Sequence, residues 1–274
     1  MRSETATSVL HLFVPADRGE RFAKAAAARP DAVIVDLEDA VAPENKAAAR
    51  SRLAEGLSTI PDDMPVFLRI NASGTAWHLD DLAVARSLRL HAIMLPKAEN
   101  PDDLRHVEAT CGCPVIALVE TAPGIYHAND LARASSRLAF GSIDFAADLA
   151  MSHSRLSLLP ARSALVMAAR LAGQPGPIDG VTTAIGEEDV IVDDCLHAVE
   201  LGFSGKLLIH PAQIAPARKG FAPSRADVEW ATRVLSASSQ HGVTSVDGAM
   251  VDVPVIRRAE QILQRRHRSQ GDYA

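Results

Sequence analysis

Short apolar runs rich in Val, Ile and Leu recur eight times along this chain, and a segment of helical character follows each one. The runs are 11–15 (HLFVP), 31–39 (DAVIVDLED), 65–71 (PVFLRIN), 92–98 (AIMLPKA), 114–121 (PVIALVET), 137–144 (RLAFGSID), 176–180 (GPIDG, the weakest) and 206–211 (KLLIHP). Helices are expected over 19–29, 43–57, 78–89, 100–110, 123–133, 161–173, 187–202 and 224–242. Continuous apolar strands separated by helices imply a parallel sheet covered on its outer face. Eight such units in 274 residues favour one closed (β/α)8 TIM barrel over an open doubly wound sheet. An open sheet should carry a glycine-rich phosphate turn after its first strand. Here that turn reads VPADRGE, with no G-x-G-x-x-G. The expected organisation is an α/β barrel domain over 1–242 and an extension over 243–274, comprising a loop, one amphipathic helix and a basic tail.

Composition narrows the function classes. A net charge of -6 argues against a general nucleic-acid binder, and the cluster Arg265, Arg266, His267 and Arg268 reads as a solvated tail. Three cysteines, Cys111, Cys113 and Cys195, make a poor disulfide framework, and no further Cys/His pair follows at metal-binding spacing. A reduced, cytoplasmic setting is expected. No apolar run reaches the roughly 18 residues of a membrane span, and no signal-peptide pattern opens the chain.

In such barrels the chemistry sits at the C-terminal ends of the strands. Those ends carry Asp17 and Arg18; Asp36, Glu38 and Asp39; Arg69 and Asn71; Lys97; Glu120; Asp144; Asp179; and His210. Glu120 and Asp144 are expected at the ends of neighbouring strands, about 4.8 Å apart. Two carboxylates there repel unless a proton or a cation lies between them. Oxygen ligands suit a hard cation, Mg2+ first, with Mn2+ as the substitute. The competing reading pairs Glu120 with Lys97 or Arg69. Arg69 offers a planar fork that matches a carboxylate. The turn GSID, with Gly141, Ile143 and Asp144, offers backbone N–H groups to an anionic oxygen. His210, followed by Pro211, reads either as a base or as a cap.

Taken in order, eight stretches resemble the citrate lyase beta subunit-like branch of the HpcH/HpaI aldolase superfamily, which includes citryl-CoA, malyl-CoA and citramalyl-CoA lyases. They are 12–25 (LFVPADRGERFAKA), 31–50, 67–71 (FLRIN), 93–99 (IMLPKAE), 115–125 (VIALVETAPGI), 139–149 (AFGSIDFAADL), 205–214 (GKLLIHPAQI) and 248–263. The resemblance implies a Mg2+-dependent barrel that forms homotrimers or hexamers. It implies Glu120 and Asp144 as metal ligands and Arg69 as the substrate-binding arginine, with Gly141 and Ile143 beside the substrate. Phe13, Arg18 and Lys24 match positions that contact coenzyme A. Asp252 matches an acid that reaches a neighbouring subunit's site, so the C-terminal helical extension would pack on that neighbour as a lid. Asp36, Glu38 and Asp39 would hold waters or orient Arg69. Ala16 and Ala150 stand where relatives often have Gly. The implied activity is a reversible Claisen-type cleavage of a 3-hydroxyacyl-CoA to a 2-oxo acid and an acyl-CoA. CoA-free aldol chemistry, thioester hydrolysis and a non-catalytic subunit of a citrate lyase-like complex are the alternatives.

Overall fold

Alternate residues of each strand point to opposite faces, and here both faces are apolar. The computed structural model describes residues 2–238, 244–247 and 249–270. In chain order these form α1 (Arg2–Thr7), β1 (Leu10–Pro15), α2 (Phe22–Ala27), β2 (Ala32–Asp36), α3 (Lys46–Leu57), β3 (Val66–Arg69), α4 (His78–Ala85), β4 (Ala92–Leu95) and α5 (Pro101–Cys111). There follow β5 (Val115–Val119), α6 (Ala122–Tyr126), α7 (Ala128–Ala134), β6 (Arg137–Phe140), α8 (Ser142–Asp148), α9 (Arg155–Leu171), β7 (Ile178–Asp179), α10 (Glu188–Leu201) and β8 (Gly205–Leu208). The chain ends with α11 (Ile214–Phe221), α12 (Arg225–Ser238), β9 (Thr244–Val246), β10 (Ala249–Val251) and α13 (Val253–Gln270).

Strands β1 to β8 close in sequence order into a parallel barrel, β8 pairing back on β1. The expected (β/α)8 architecture is therefore the observed one. Ile34, Phe67, Met94, Ile116, Leu118 and Leu207 fill the barrel interior. The other strand faces, including Val33, Val35, Leu68, Ile93 and Val119, pack outward with helix residues such as Leu53, Leu104 and Leu165. The floor is closed by Arg137, which is fully buried and donates to Thr5 O at 2.9 Å, Ser8 O at 2.7 Å, Gly176 O at 3.0 Å and Ser204 Oγ at 2.9 Å.

Three elements differ from the sequence reading. Strand β6 stops at Phe140, and Ser142–Asp148 is helical, so Asp144 lies in the first turn of α8 rather than on a strand end. An acid is favourable there against the helix dipole. Helix α9 runs through Pro160, from an N-cap at Ser154 whose side chain accepts the Ser157 N–H. The eighth barrel helix is α11, packed on β1 and β8, and α12 instead pairs with α13. Pro216 masked α11 in the sequence, yet it occupies the first turn, where a missing N–H costs nothing. Ala231, Val234, Ala259 and Ile262 make a separate small core between α12 and α13. The expected boundary at 242/243 and the end of the basic tail, 271–274, lie outside the described residues. Among the described residues no helix is long and apolar enough to cross a membrane.

Candidate active site

The two-residue period that fills the barrel interior also builds the site. Ile34 leads to Asp36, Phe67 to Arg69, and Leu118 to Glu120, so the last inward position on three strands is ionisable. Asp36 and Arg69 are register partners on β2 and β3. Arg69 Nε and Nη2 donate to Asp36 Oδ1 and Oδ2 at 2.7 and 2.6 Å, a two-bond pair that is almost wholly buried. Arg69 Nη1 lies 3.0 Å from Glu38 Oε2 and 3.6 Å from Asp39 Oδ2. The Phe13 ring sits 4.8 Å below the guanidinium carbon. Burial works against the Arg69 charge, but Asp36, Glu38 and Asp39 raise its proton affinity above the ordinary arginine value. A guanidinium has five N–H groups. Two are spent on Asp36 and Nη1 faces Glu38 and Asp39, so a ligand carboxylate would share the Nη1 and Nη2 hydrogens that these acids do not use.

Glu120 is 1% exposed. Its Oε1 accepts the Lys97 backbone N–H at 2.9 Å. The Lys97 ammonium points elsewhere, donating to Glu38 Oε1 at 2.7 Å. No cationic side chain among the described residues lies within ion-pair distance of Glu120; Lys97 meets it through the backbone N–H, and the Arg69 and Lys97 charges act on it only from further away. Burial pushes the Glu120 carboxyl up to about 8, with Glu38 and Asp144 adding to the effect. Burial also pushes Glu38 up, although Arg69 and Lys97 hold it back. Lys97 has φ 48°, a left-handed backbone that aims its N–H at Glu120. Opposite, Gly141 meets Glu120 so closely that an added Cβ would lie 2.5 Å from the Glu120 Cβ and collide with Oε2. Glycine is needed there for this close approach, since its φ is ordinary.

Asp36, Asp39, Arg69, Glu120, Gly141, Ile143 and Asp144 line one cavity of about 380 Å³ with Phe13 and Ser142. Asp144 is exposed at its mouth. Two hard carboxylate donors, one buried without a cationic partner, fit a divalent cation that takes its other ligands from water and substrate. Among the described residues no third carboxylate, His or Cys joins them in a cation cage. A second cavity of about 430 Å³ shares Phe13, Pro15 and Ile209 and adds Arg21, Lys24 and His210. Arg18 faces another depression, beside Asp17 and Arg52.

Other strand-end residues serve the scaffold. Asp179 turns behind the wall to Arg162 at 3.0 Å and Lys206 at 2.9 Å. Asn71 donates to Asp81 at 2.6 Å. His210 Nδ1 accepts the Ala212 N–H at 3.1 Å and so caps the following turn. Asp252 lies outside the cavity lining in the single chain, and its Oδ1 accepts the Val255 N–H at 3.2 Å at the start of α13. The sequence reading missed Arg21, which the i, i+3 spacing to Lys24 signalled, and the Ser142–His153 contact of 2.9 Å that fastens α8 to the following loop.

A family model described as HpcH/HpaI aldolase/citrate lyase matches residues 10–211. A citrate lyase subunit beta-like protein of Mycobacterium tuberculosis is 39% identical over 264 residues, covering 93% of this chain and 94% of that protein. A (3S)-malyl-CoA thioesterase of Cereibacter sphaeroides is 34% identical over 266 residues, covering 93% of each. The crystal structure of protein CitE from Mycobacterium tuberculosis in complex with magnesium, acetoacetate and coenzyme A superimposes with a TM-score of 0.85 at 38% identity, covering 97% of this chain and 99% of that one.

Proposed function

This chain belongs to the HpcH/HpaI aldolase/citrate lyase family, and from that premise we propose a Mg2+-dependent carbon–carbon lyase that acts on a 3-hydroxyacyl-CoA of the citryl-CoA, malyl-CoA or citramalyl-CoA type. The products are a 2-oxo acid and an acyl-CoA, and the reaction is reversible. The observation that carries the reading is the buried Glu120 carboxylate, free of any cationic side chain, in one cavity with Asp144 and the preset Arg69. It is supported by the magnesium, acetoacetate and coenzyme A bound by the similar mycobacterial protein.

Glu120 and Asp144 would hold Mg2+, or Mn2+ in its place, which when bound would supply positive charge beside the carboxylate and hydroxyl oxygens of the substrate. Arg69 binds the substrate carboxylate through its outer N–H groups. Asp36 fixes the plane of its guanidinium, so little order is lost when ligand arrives. Glu38 and Asp39 steady the same side chain, and Lys97 offsets the Glu38 charge. The Ile143 backbone N–H, in the first turn of α8, faces the remaining substrate oxygens, whereas the Gly141 N–H is taken by the Val119 carbonyl at 2.9 Å and Gly141 contributes only its lack of a side chain. Phe13 and Lys24, in the adjoining cavity, meet the coenzyme A arm, with Arg18 further along it. Asp252 is assigned to a neighbouring subunit's site in a homotrimer or hexamer, on a C-terminal segment that closes over it. There it protonates the enolate carbon in cleavage and removes that proton in condensation.

A second reading, hydrolysis of the thioester, has one supporting observation: the similar Cereibacter protein is a (3S)-malyl-CoA thioesterase. The protein, Mg2+ and each of the three thioesters are incubated, and 2-oxo acid and free thiol are followed separately. A lyase releases 2-oxo acid without thiol. Thiol release without 2-oxo acid would replace the lyase reading by the hydrolase one.

A further inference from the structure

A cavity of about 420 Å³ lies at the opposite end of the barrel from Glu120. Its walls include Val9 and Ser204, which immediately precede β1 and β8, and Gly176, two residues before β7, so it opens at the N-terminal ends of the strands. Helix α9 contributes Arg170, and α13 contributes Gln261, Gln264 and Arg265. No carboxylate lines it, in a chain of net charge -6.

Its polar groups are short of partners. Arg265 is only partly exposed, and its Nε is buried without a hydrogen-bond partner. Neither Arg265 nor Arg170 forms an ion pair among the described residues, and the Asp227 carboxylate, beyond pairing distance, offsets only part of the burial cost of the Arg265 charge. Gln174 has its Nε2 fixed by Ala132 O at 2.6 Å and Ser135 O at 2.7 Å, while its Oε1 is buried and unsatisfied. Behind the wall, the Arg137 guanidinium bonds to Gly176 and Ser204, adding a third cation close to the cavity. Val166, Phe203 and Phe221 make the rest of the lining apolar. Burying a polar or charged group without a partner is costly, and water relieves the hydrogen bonds but not the excess positive charge. An oxyanion meets the guanidinium groups in charge-assisted bonds, while Gln174 Oε1, itself an acceptor, takes a hydrogen from water.

We propose that this cavity binds a small organic anion, with a carboxylate or phosphate head on Arg265 and Arg170 and an apolar body on Val166, Phe203 and Phe221. Because Arg265 belongs to α13 and Arg170 to α9, the ligand ties the C-terminal helix to the barrel. The site is independent of the reaction assigned to the Glu120 cavity.

The test is calorimetric titration of the full chain with hexanoate and with hexyl phosphate, which share an apolar body and differ in the head. One ligand per chain is expected for at least one of them, with amide hydrogen exchange in α13 slowed on binding. Arg265→Gln and Arg170→Gln should each weaken binding by about tenfold, the equivalent of about 1.4 kcal/mol. Arg69→Lys, in the other cavity, should leave this binding intact. Arg170 is exposed on α9, so Arg170→Gln carries the test if Arg265→Gln loosens α13. The proposal is overturned if neither probe binds up to about 10 mM, a free energy below about 3 kcal/mol. Equal binding by wild type and both arginine variants overturns it too.

Discussion

Glu120→Gln should stabilise the metal-free protein, and by an amount that grows with pH. In the folded chain burial pushes the Glu120 carboxyl up to about 8, against an ordinary value of 4.5. The folded state therefore holds a proton between those limits that the unfolded state has released. Stability is full below pH 4.5 and declines as pH rises, levelling off above about 8. Each pH unit in that window is worth about 1.4 kcal/mol, so the ceiling is about 5 kcal/mol. Water entry and relaxation reduce this, and about 2–3 kcal/mol is the working expectation. Glutamine keeps the oxygen that accepts the Lys97 N–H and carries no charge at any pH. The assay is thermal unfolding of wild type and Glu120→Gln in chelator from pH 5 to 9. The variant's advantage in Tm should be near zero at pH 5 and reach about 5–10 °C at pH 8.5, at about 2–4 °C per kcal/mol. Mg2+ should then close the gap by raising the wild type alone. A difference between the two proteins that does not change with pH would refute the reasoning.

Asp36→Asn leaves the buried Arg69 charge without its two-bond partner; denaturant unfolding should show a loss of about 3–5 kcal/mol, and unchanged stability would contradict it. Gly141→Ala places a Cβ against the Glu120 carboxylate. It should weaken Mg2+ binding and cut turnover by about 10²-fold, as a displacement near 1 Å can, whereas wild-type kinetics would show that the carboxylate is free to move. Asp252→Asn keeps an oxygen for the Val255 N–H and costs only the charge at the start of α13, about 0.3–1 kcal/mol of stability, with turnover unchanged, if that is the whole role of the acid. If it serves a neighbour's site, turnover falls by about 10²-fold or more with Mg2+ binding intact, and mixing with Glu120→Gln restores activity through hybrid oligomers. A mixture that stays inactive after confirmed subunit exchange removes the intersubunit role.

The barrel was legible because β4 and β5 are continuous apolar runs, as is β2 up to Asp36, and only a sheet covered on both faces accommodates them. The inward positions of Asp36, Arg69 and Glu120 follow from the same period of two. Asp144 was misplaced because 137–144 was read as one strand, whereas the single residue Gly141 hands β6 to α8. Helix α11 was hidden by Pro216, and the first turn of α9 by Pro160, since a proline reads as a break unless its position within the turn is known. The partner of Glu120 was beyond the sequence altogether. A backbone N–H carries no residue signature, and the left-handed Lys97 that aims it is not glycine. The pairing of Lys97 with Glu38, 59 positions apart, depends on β2 and β4 both facing the same mouth.

Titrating Mg2+ into the protein with oxaloacetate present tests the central claim most directly, that Glu120 and Asp144 together hold the cation beside Arg69. Calorimetry should give one cation per chain in the wild type, and neither Glu120→Gln nor Asp144→Asn should bind it measurably under the same conditions, with both variants folded. Undiminished binding in both variants would contradict the account and take these carboxylates out of the metal site.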